Sequence, residues 1–255
     1  MTNSATATRS ALPPLAPRAW LRYDVVKAIL DRLRPETVLE FGCGQGSFGA
    51  RLAERANYLG VEPDREAAAV ARERITPRGG KILLGDQNIV PSGTSYDLVC
   101  AFEVLEHLEH DADMLKTWAS FLAPGGHLLL SVPAWPERFG PMDEHAGHYR
   151  RYTPEQVSGM LVAAGLEAPE VTVYGWPLGY ALEAVRNPID ARKLARGAED
   201  KSKAELTAST GRTFQPPNQL VGAVVAVATT PFRYLQRLAP TKGTGLVALA
   251  RKPQQ

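Results

Sequence analysis

The sequence predicts an α/β protein built on a doubly wound, seven-stranded, mostly parallel sheet, with a helical insertion before the last strand. Three observations carry this. The apolar, β-favouring run Thr37-Val-Leu-Glu-Phe41 enters a glycine-rich turn, Gly42-Cys-Gly-Gln-Gly46, and then a helical pattern. Strand and helix patterns then alternate as far as residue 165. The last two strand patterns stand about seventy residues apart, far beyond a hairpin loop. At 255 residues the chain can bury a substantial core as one domain with additions. Lys and Arg number 29 against 27 Asp and Glu, a net charge of +2, too balanced for an electrostatic nucleic-acid footprint. A small-molecule partner is therefore the default.

The first residues, 1–17, are rich in Ser, Thr, Ala and Pro and read as a loose arm. They lack the apolar run of a signal peptide, so a cytoplasmic protein is expected. Residues 18–186 form the expected core. Val25, Val26, Ile29, Leu30 and Leu33 recur at helical spacing, giving a helix over 18–33. After the first strand, residues 47–55 read as a helix and 58–61 as a second strand ending at Glu62-Pro-Asp64. Asp64 is placed to cap a helix over 65–75. Strands follow at 81–84, 96–101 and 127–132, with a helix over 114–122 between the last two. Thr153 and Pro154 have N-cap and first-turn character, and Gly165 stops that helix. Residues 171–174 form the sixth strand and 245–251 the seventh, the core resuming with its tail at 244–255. The insertion, 187–243, is expected to be a polar mobile segment to 217 followed by an apolar lid helix or dimer contact. Its uncharged stretch is too short, and too broken by Pro231, to span a bilayer. Val221, Val224, Val225 and Val227 beside Arg233 and Arg237 leave room for peripheral membrane contact. Cys43 and Cys100 are expected to be small buried thiols.

The glycine turn reads as a nucleotide-type pocket. Gly44 to Gly49 satisfies the G-x-G-x-x-G string of dinucleotide enzymes, which keeps an NAD-dependent oxidoreductase as an alternative. Charge discriminates: Glu40, two residues before Gly42, would repel a pyrophosphate and welcome a cation. S-adenosylmethionine, with its sulfonium and ammonium, fits that position. Glu62 follows at the distance one helix and one strand require, where a carboxylate can accept both ribose hydroxyls. Asp86, with Gln87 beside it, lies at the end of the third strand and is assigned to the adenine amino group, or else to its own turn. Gly42, Gly44, Gly46 and Phe102, at the end of the fourth strand, complete the expected cofactor set.

These motifs in order, VLEFGCGQG, GVEPD, GD and YDLVCAFEVLEH, resemble the class I S-adenosylmethionine-dependent methyltransferase family across residues 18 to 176. The resemblance implies a Rossmann-like fold and a leading helix that contributes Tyr23 or Arg22 to the pocket; packing for Tyr23 and solvent for Arg22 is the other reading. Glu103, Glu106 and His107, if helical, share one face at i, i+3 and i+4. With a later His before an aromatic-Thr helix start, they resemble the metal-dependent O-methyltransferases of the ubiquinone pathway and of small-RNA 2′-O-methylation. That match makes Glu103, Glu106, His107 and His148 ligands for Mg²⁺ or Mn²⁺, with His107 and His148 as catalytic residues. E-V-L-E-H also occurs in relatives without metal, where the His packs or acts as general base, and His145 competes with His148 for the inward position. Arg150 and Arg151 read as salt-bridged surface or as a clamp on an acidic acceptor.

The expected activity is methyl transfer to a hydroxyl of a small or lipid-linked metabolite such as a sugar, polyol or phenol. The fourth strand lacks the Asn-Pro-Pro-aromatic ending of amino-group methylases. A catalytically silent cofactor-binding partner is the other rival.

Overall fold

The computed structural model describes residues 11–195 and 216–254. The expectations for residues 1–10 and 196–215 lie outside the described residues. Seven strands form one sheet in the order β3-β2-β1-β4-β5-β7-β6: β1 Thr37–Phe41, β2 Asn57–Glu62, β3 Lys81–Leu84, β4 Tyr96–Phe102, β5 Leu122–Pro133, β6 Glu167–Gly175 and β7 Gly243–Arg251. The first five run parallel, and β7 lies antiparallel between β5 and β6. This is the expected doubly wound fold.

Period-2 alternation puts successive side chains on opposite faces, so each central strand feeds two cores. Leu39, Phe41, Val99, Ala101, Leu128 and Leu130 point into one core, packed with Trp118 and Leu115 of α4 (Asp111–Ser120) and Val157 and Leu161 of α6 (Pro154–Ala163). Val38, Leu98, Cys100 and Leu129 point into the other, with Leu21, Val26 and Leu30 of α1 (Pro17–Leu33) and Ala71 and Ile75 of α3 (Arg65–Ile75). Each such fully buried aliphatic contributes about 1.5–3 kcal/mol over its exposed state.

Local signals set the helix starts. The Asp64 carboxylate accepts from the Ala67 N–H at 2.7 Å, and Thr153 and Gln156 form a reciprocal capping box. Cys43 and Cys100 are buried and free. Three expectations are corrected. The helix after the glycine turn is only α2, Gly49–Leu52. The described end of the N-terminal arm is packed, not loose: Leu15 is buried, and a Cβ on Gly222 would stand 2.3 Å from Pro14. Residues 187–195, expected to open a mobile segment, are the end of helix α7 (Leu178–Ala195), which runs through Pro188 with Asp190 fully buried. A short α5, Pro141–Ala146, occupies the proline-broken loop after β5. The second helix of the insertion, α8 (Gln219–Leu235), packs on α1. Leu220, Val224 and Val227 on α8 stay exposed, but the cations expected beside them turn toward α1: Arg237 pairs with Asp24 at 2.7 Å, and Arg233 lies over the Trp20 ring. Among the described residues, no helix is long and apolar enough to cross a membrane.

Candidate active site

The carboxyl ends of β1 to β4 open into a cavity of about 1160 Å³, closed on the far side by residues 14–19, Arg22 and one face of α7. That exceeds the roughly 300–1,000 Å³ of a single small-molecule site, so two reactants fit. At its floor the chain turns at Gly42 and Gly44, both at positive φ. A Cβ on Gly42 would stand 2.5 Å from Val104 Cγ2, whereas one on Gly44 would meet nothing within 4 Å, because Gly44 faces the open cavity. Gly46, expected to hold cofactor, does not line the cavity; its α-carbon seats against Ala71 and Ile75 of α3.

Two acids flank the turn from adjacent parallel strands. Glu62 accepts from the Gly44 N–H at 2.7 Å and the Asp64 N–H at 2.9 Å, one bond to each carboxylate oxygen. Each oxygen keeps a further lone pair for a ribose hydroxyl. Burial pushes the Glu62 carboxyl up, and the two backbone donors oppose it. Glu40 is buried and accepts from the Tyr58 hydroxyl at 2.6 Å. Burial raises its carboxyl to about 7. Asp86 and Gln87 line the cavity, and Asp86 also accepts from the Asn88 N–H at 2.9 Å, so the local turn and the ligand-facing position coexist. Phe102 lines it with Phe48, ring centroids 5.0 Å apart. Tyr23 does not line the cavity: its ring packs edge-on against Phe48 and under Arg51, and its neighbour Arg22 faces the pocket instead.

At the opposite end of the cavity, the expected helix over residues 103–107 does not form. Glu103 continues out of β4 with its N–H on the Ser131 carbonyl and φ at 57°, and only Leu105–His107 make a 3-10 turn. Glu103 is thereby directed to Arg22, at 3.0 Å, and the Ser131 hydroxyl, outside the ligand cluster predicted for it. Burial would raise its carboxyl, but Arg22 and Arg18 outweigh that and hold it low.

Glu106, His107 and His148 do converge. Their ligand atoms lie within 4.8 Å of one another, and the two imidazole centroids are 4.6 Å apart although forty-one residues separate them in sequence. Glu106 is fully buried, neither of its oxygens has a hydrogen-bond partner among the described residues, and burial with the nearby Glu103 charge pushes its carboxyl well up. Each histidine is oriented through a ring nitrogen: His107 by the Gly147 backbone, and His148 Nδ1 by Asp143 at 2.9 Å. His148 Nε2 is left 4.0 Å from Glu106. Burial, then His148, lowers His107 to about 3, which keeps it in the neutral form that ligates cations. His145 does not line the cavity.

Sequence reading missed the support behind His148. Arg151 is buried and forks onto both Asp143 oxygens at 2.7–3.0 Å while reaching Glu183 of α7 at 2.9 Å. Arg138 takes the other Glu183 oxygen at 2.6 Å. Burial disfavours the Asp143 carboxylate, but bonds from His148 and Arg151 outweigh it and hold the group at about 2. Arg150 is the more exposed of the pair and binds Asp111 at 3.2 Å.

The methyltransferase-domain family matches residues 17–171, and the chain belongs to it, within the class I S-adenosylmethionine-dependent methyltransferases. This replaces the dinucleotide alternative left by the glycine string. A ubiquinone biosynthesis O-methyltransferase of Vibrio vulnificus is 31% identical over 117 residues, covering 44% of this chain and 50% of that protein. The chain thus matches about half the length of such curated relatives. Among solved structures, phosphoethanolamine N-methyltransferase 2 of Haemonchus contortus, in complex with S-adenosylmethionine, is similar at TM-score 0.56 and 19% identity, over 91% of this chain and 53% of that one. The YcgJ protein of Bacillus subtilis reaches TM-score 0.60 at 15% identity, over 92% and 100%. At these identities the structures share the fold.

Proposed function

We propose that the protein transfers a methyl group from S-adenosylmethionine to a hydroxyl of a small or lipid-linked metabolite, such as a sugar, polyol or phenol, with a divalent cation held by Glu106, His107 and His148. The observation that carries this reading is the Glu106 carboxylate: a buried acid without a hydrogen-bond partner among the described residues, facing two imidazoles already oriented from behind. Burying such a group is costly unless something pairs with it. The similarity to a protein named as an O-methyltransferase of ubiquinone biosynthesis supports oxygen as the acceptor atom.

The mixed O/N donor set suits Mg²⁺ or Mn²⁺, and such an ion supplies Lewis acidity that lowers the pKa of an acceptor hydroxyl. The chain's own residues do the rest. The Gly42–Gly44 turn lets the cofactor approach the backbone, Glu62 offers acceptors to the ribose, and Glu40 offers negative charge to the ammonium. Transfer at carbon is an in-line displacement, so the walls must press the acceptor oxygen against the methyl group and exclude water.

The test is equilibrium binding of Mn²⁺ to the free protein, followed by turnover on a panel of hydroxyl compounds with and without EDTA. Micromolar Mn²⁺ binding that Glu106→Gln abolishes, together with EDTA-sensitive turnover, is expected. EDTA-insensitive turnover that His107→Ala still abolishes would overturn the metal and make His107 the base.

A further inference from the structure

Helix α8 is built inside out. Its inward residues recur at seven-residue intervals as Gly222, Thr229 and, in the turn that follows the helix, Gln236, all buried. Gly222 seats against Pro14, the Thr229 hydroxyl donates to the Val225 carbonyl at 2.8 Å, and the Gln236 amide donates to the Leu21 carbonyl at 3.0 Å while accepting from the Gly175 N–H at 3.1 Å. The polar groups are thus satisfied against the fold. Outward stand Leu220, Val224, Val227, Pro231, Tyr234 and Leu238, at i, i+4, i+7, i+11, i+14 and i+18, all exposed. Apart from the proline, each keeps 63–78% of its surface in water. A surface helix normally has the opposite arrangement, with its apolar stripe on the core. No charge interrupts this one, since the helix carries none from Gln219 to Phe232. A contiguous apolar stripe of this kind marks a surface that is covered when the protein works.

Area and charge decide what covers it. With 17 residues, α8 is about 25 Å long and about 10 Å across, so its outer face outlines roughly 250 Å², against ~800 Å² on each side of a stable protein interface. A second copy seated on this stripe falls well short. Residues 219–242 also contain Arg233, Arg237 and Lys242 and no acid. An α8 paired with its copy therefore meets cations if parallel and the positive end of the helix dipole if antiparallel, and no carboxylate either way. Arg233 is turned onto the Trp20 ring, but Arg237 keeps 58% of its side chain exposed even while paired with Asp24, and Lys242 is exposed beyond it. An uncharged apolar stripe that ends in exposed cations matches a lipid surface, whose acyl boundary takes the first and whose anionic headgroups take the second.

We infer that α8 docks in the plane of an anionic membrane surface through Leu220, Val224, Val227, Tyr234 and Leu238, with Arg237 and Lys242 on the headgroups. Pro14 both lines the cavity and packs on Gly222, so the docked helix backs the segment, residues 14–19, that closes the cavity. The docking does not depend on which atom the enzyme methylates.

The test is flotation of the full chain with vesicles of phosphatidylcholine, or of phosphatidylcholine mixed with phosphatidylglycerol, at low and high salt, alongside sedimentation velocity over a range of protein concentrations. Wild type is expected to bind the mixed vesicles, more weakly as salt rises, and to bind phosphatidylcholine alone at least about tenfold less. Val224→Asp/Val227→Asp puts two carboxylates into the acyl boundary and should lose more than about tenfold, and Lys242→Gln about fivefold. Both variants should keep S-adenosylhomocysteine affinity and a nearly wild-type melting temperature, because these side chains already face water in the free protein. Wild-type flotation by Val224→Asp/Val227→Asp, or no flotation of wild type on either vesicle, would overturn the docking. A dimer that forms with rising concentration and is abolished by the same double variant, in a chain that floats on neither vesicle, would give the stripe to a second copy instead.

Discussion

Glu40 sits under the glycine turn with its carboxyl raised by burial to about 7, against an ordinary 4.5, while the Tyr58 hydroxyl donates to it. A carboxyl whose folded pKa is raised stabilises the free protein most below its unfolded value, and that contribution is lost as pH rises from 4.5 through about 7. A ligand ammonium reverses the preference, because it favours the carboxylate, so binding should expel a proton below neutrality. Affinity for S-adenosylhomocysteine is therefore expected to climb by up to about tenfold per pH unit below 7 and to level off above it. Calorimetry in buffers of different ionisation enthalpy checks this directly. Glu40→Gln should weaken binding and abolish the slope; an unchanged slope would place the titrating group elsewhere. The residue scale also shows where sequence reading stops. Glu62 and Asp64 were legible because strand spacing and capping are local, whereas the Tyr58 bond on Glu40 depends on two strands lying side by side, which no short-range pattern reports.

Among the elements, α7 ties the insertion to the site. Its Glu183 is 2% exposed and receives Arg138 and Arg151, and Arg151 in turn holds Asp143 against His148. Removing that carboxylate leaves Arg151 paired with Asp143 but takes the carboxylate acceptor from its buried Nη1, so Glu183→Ala is expected to cost about 1.5–3 kcal/mol, read as a lower urea midpoint. A loss under about 1 kcal/mol would mean that the cluster is solvated and does not support the site. The composition of α7 also explains why its last part, residues 187–195, falls in a stretch that reads as polar and mobile. Glu183 and Asp190 are charges on the buried face, and Pro188 stands inside the helix, so both the amphipathic pattern and the usual breaker rule point the wrong way. The strands carried no such conflict. The apolar runs of β1, β4 and β7 are buried on both faces, and all seven strands were legible, although β5 begins five residues before its expected start at 127 and β6 four before 171. Glu103 failed for a different reason: a side chain at positive φ leaves the helical face its spacing suggests.

For the whole molecule, the two proposed ligands enter one cavity but touch different groups, and this separates their effects on stability. In the proposed arrangement S-adenosylhomocysteine would meet the β1–β2 end through Glu40, Glu62 and the glycine turn, and a cation would meet Glu106, His107 and His148 beyond β4 and β5. Anything that binds only the folded chain adds RT ln(1 + [L]/Kd), about 2.7 kcal/mol at one hundred times Kd. Sites that share no residue add their contributions to within about 0.5 kcal/mol. The rise in melting temperature with S-adenosylhomocysteine and Mn²⁺ together should therefore equal the two separate rises in free-energy terms, while NAD gives none. Glu106→Gln should delete the Mn²⁺ rise and spare the other, and Glu62→Gln should do the reverse. Strong cooperativity between the ligands would show instead that Glu103 couples the sites, since it lies between the cluster at Glu106 and the Arg22 that lines the cavity.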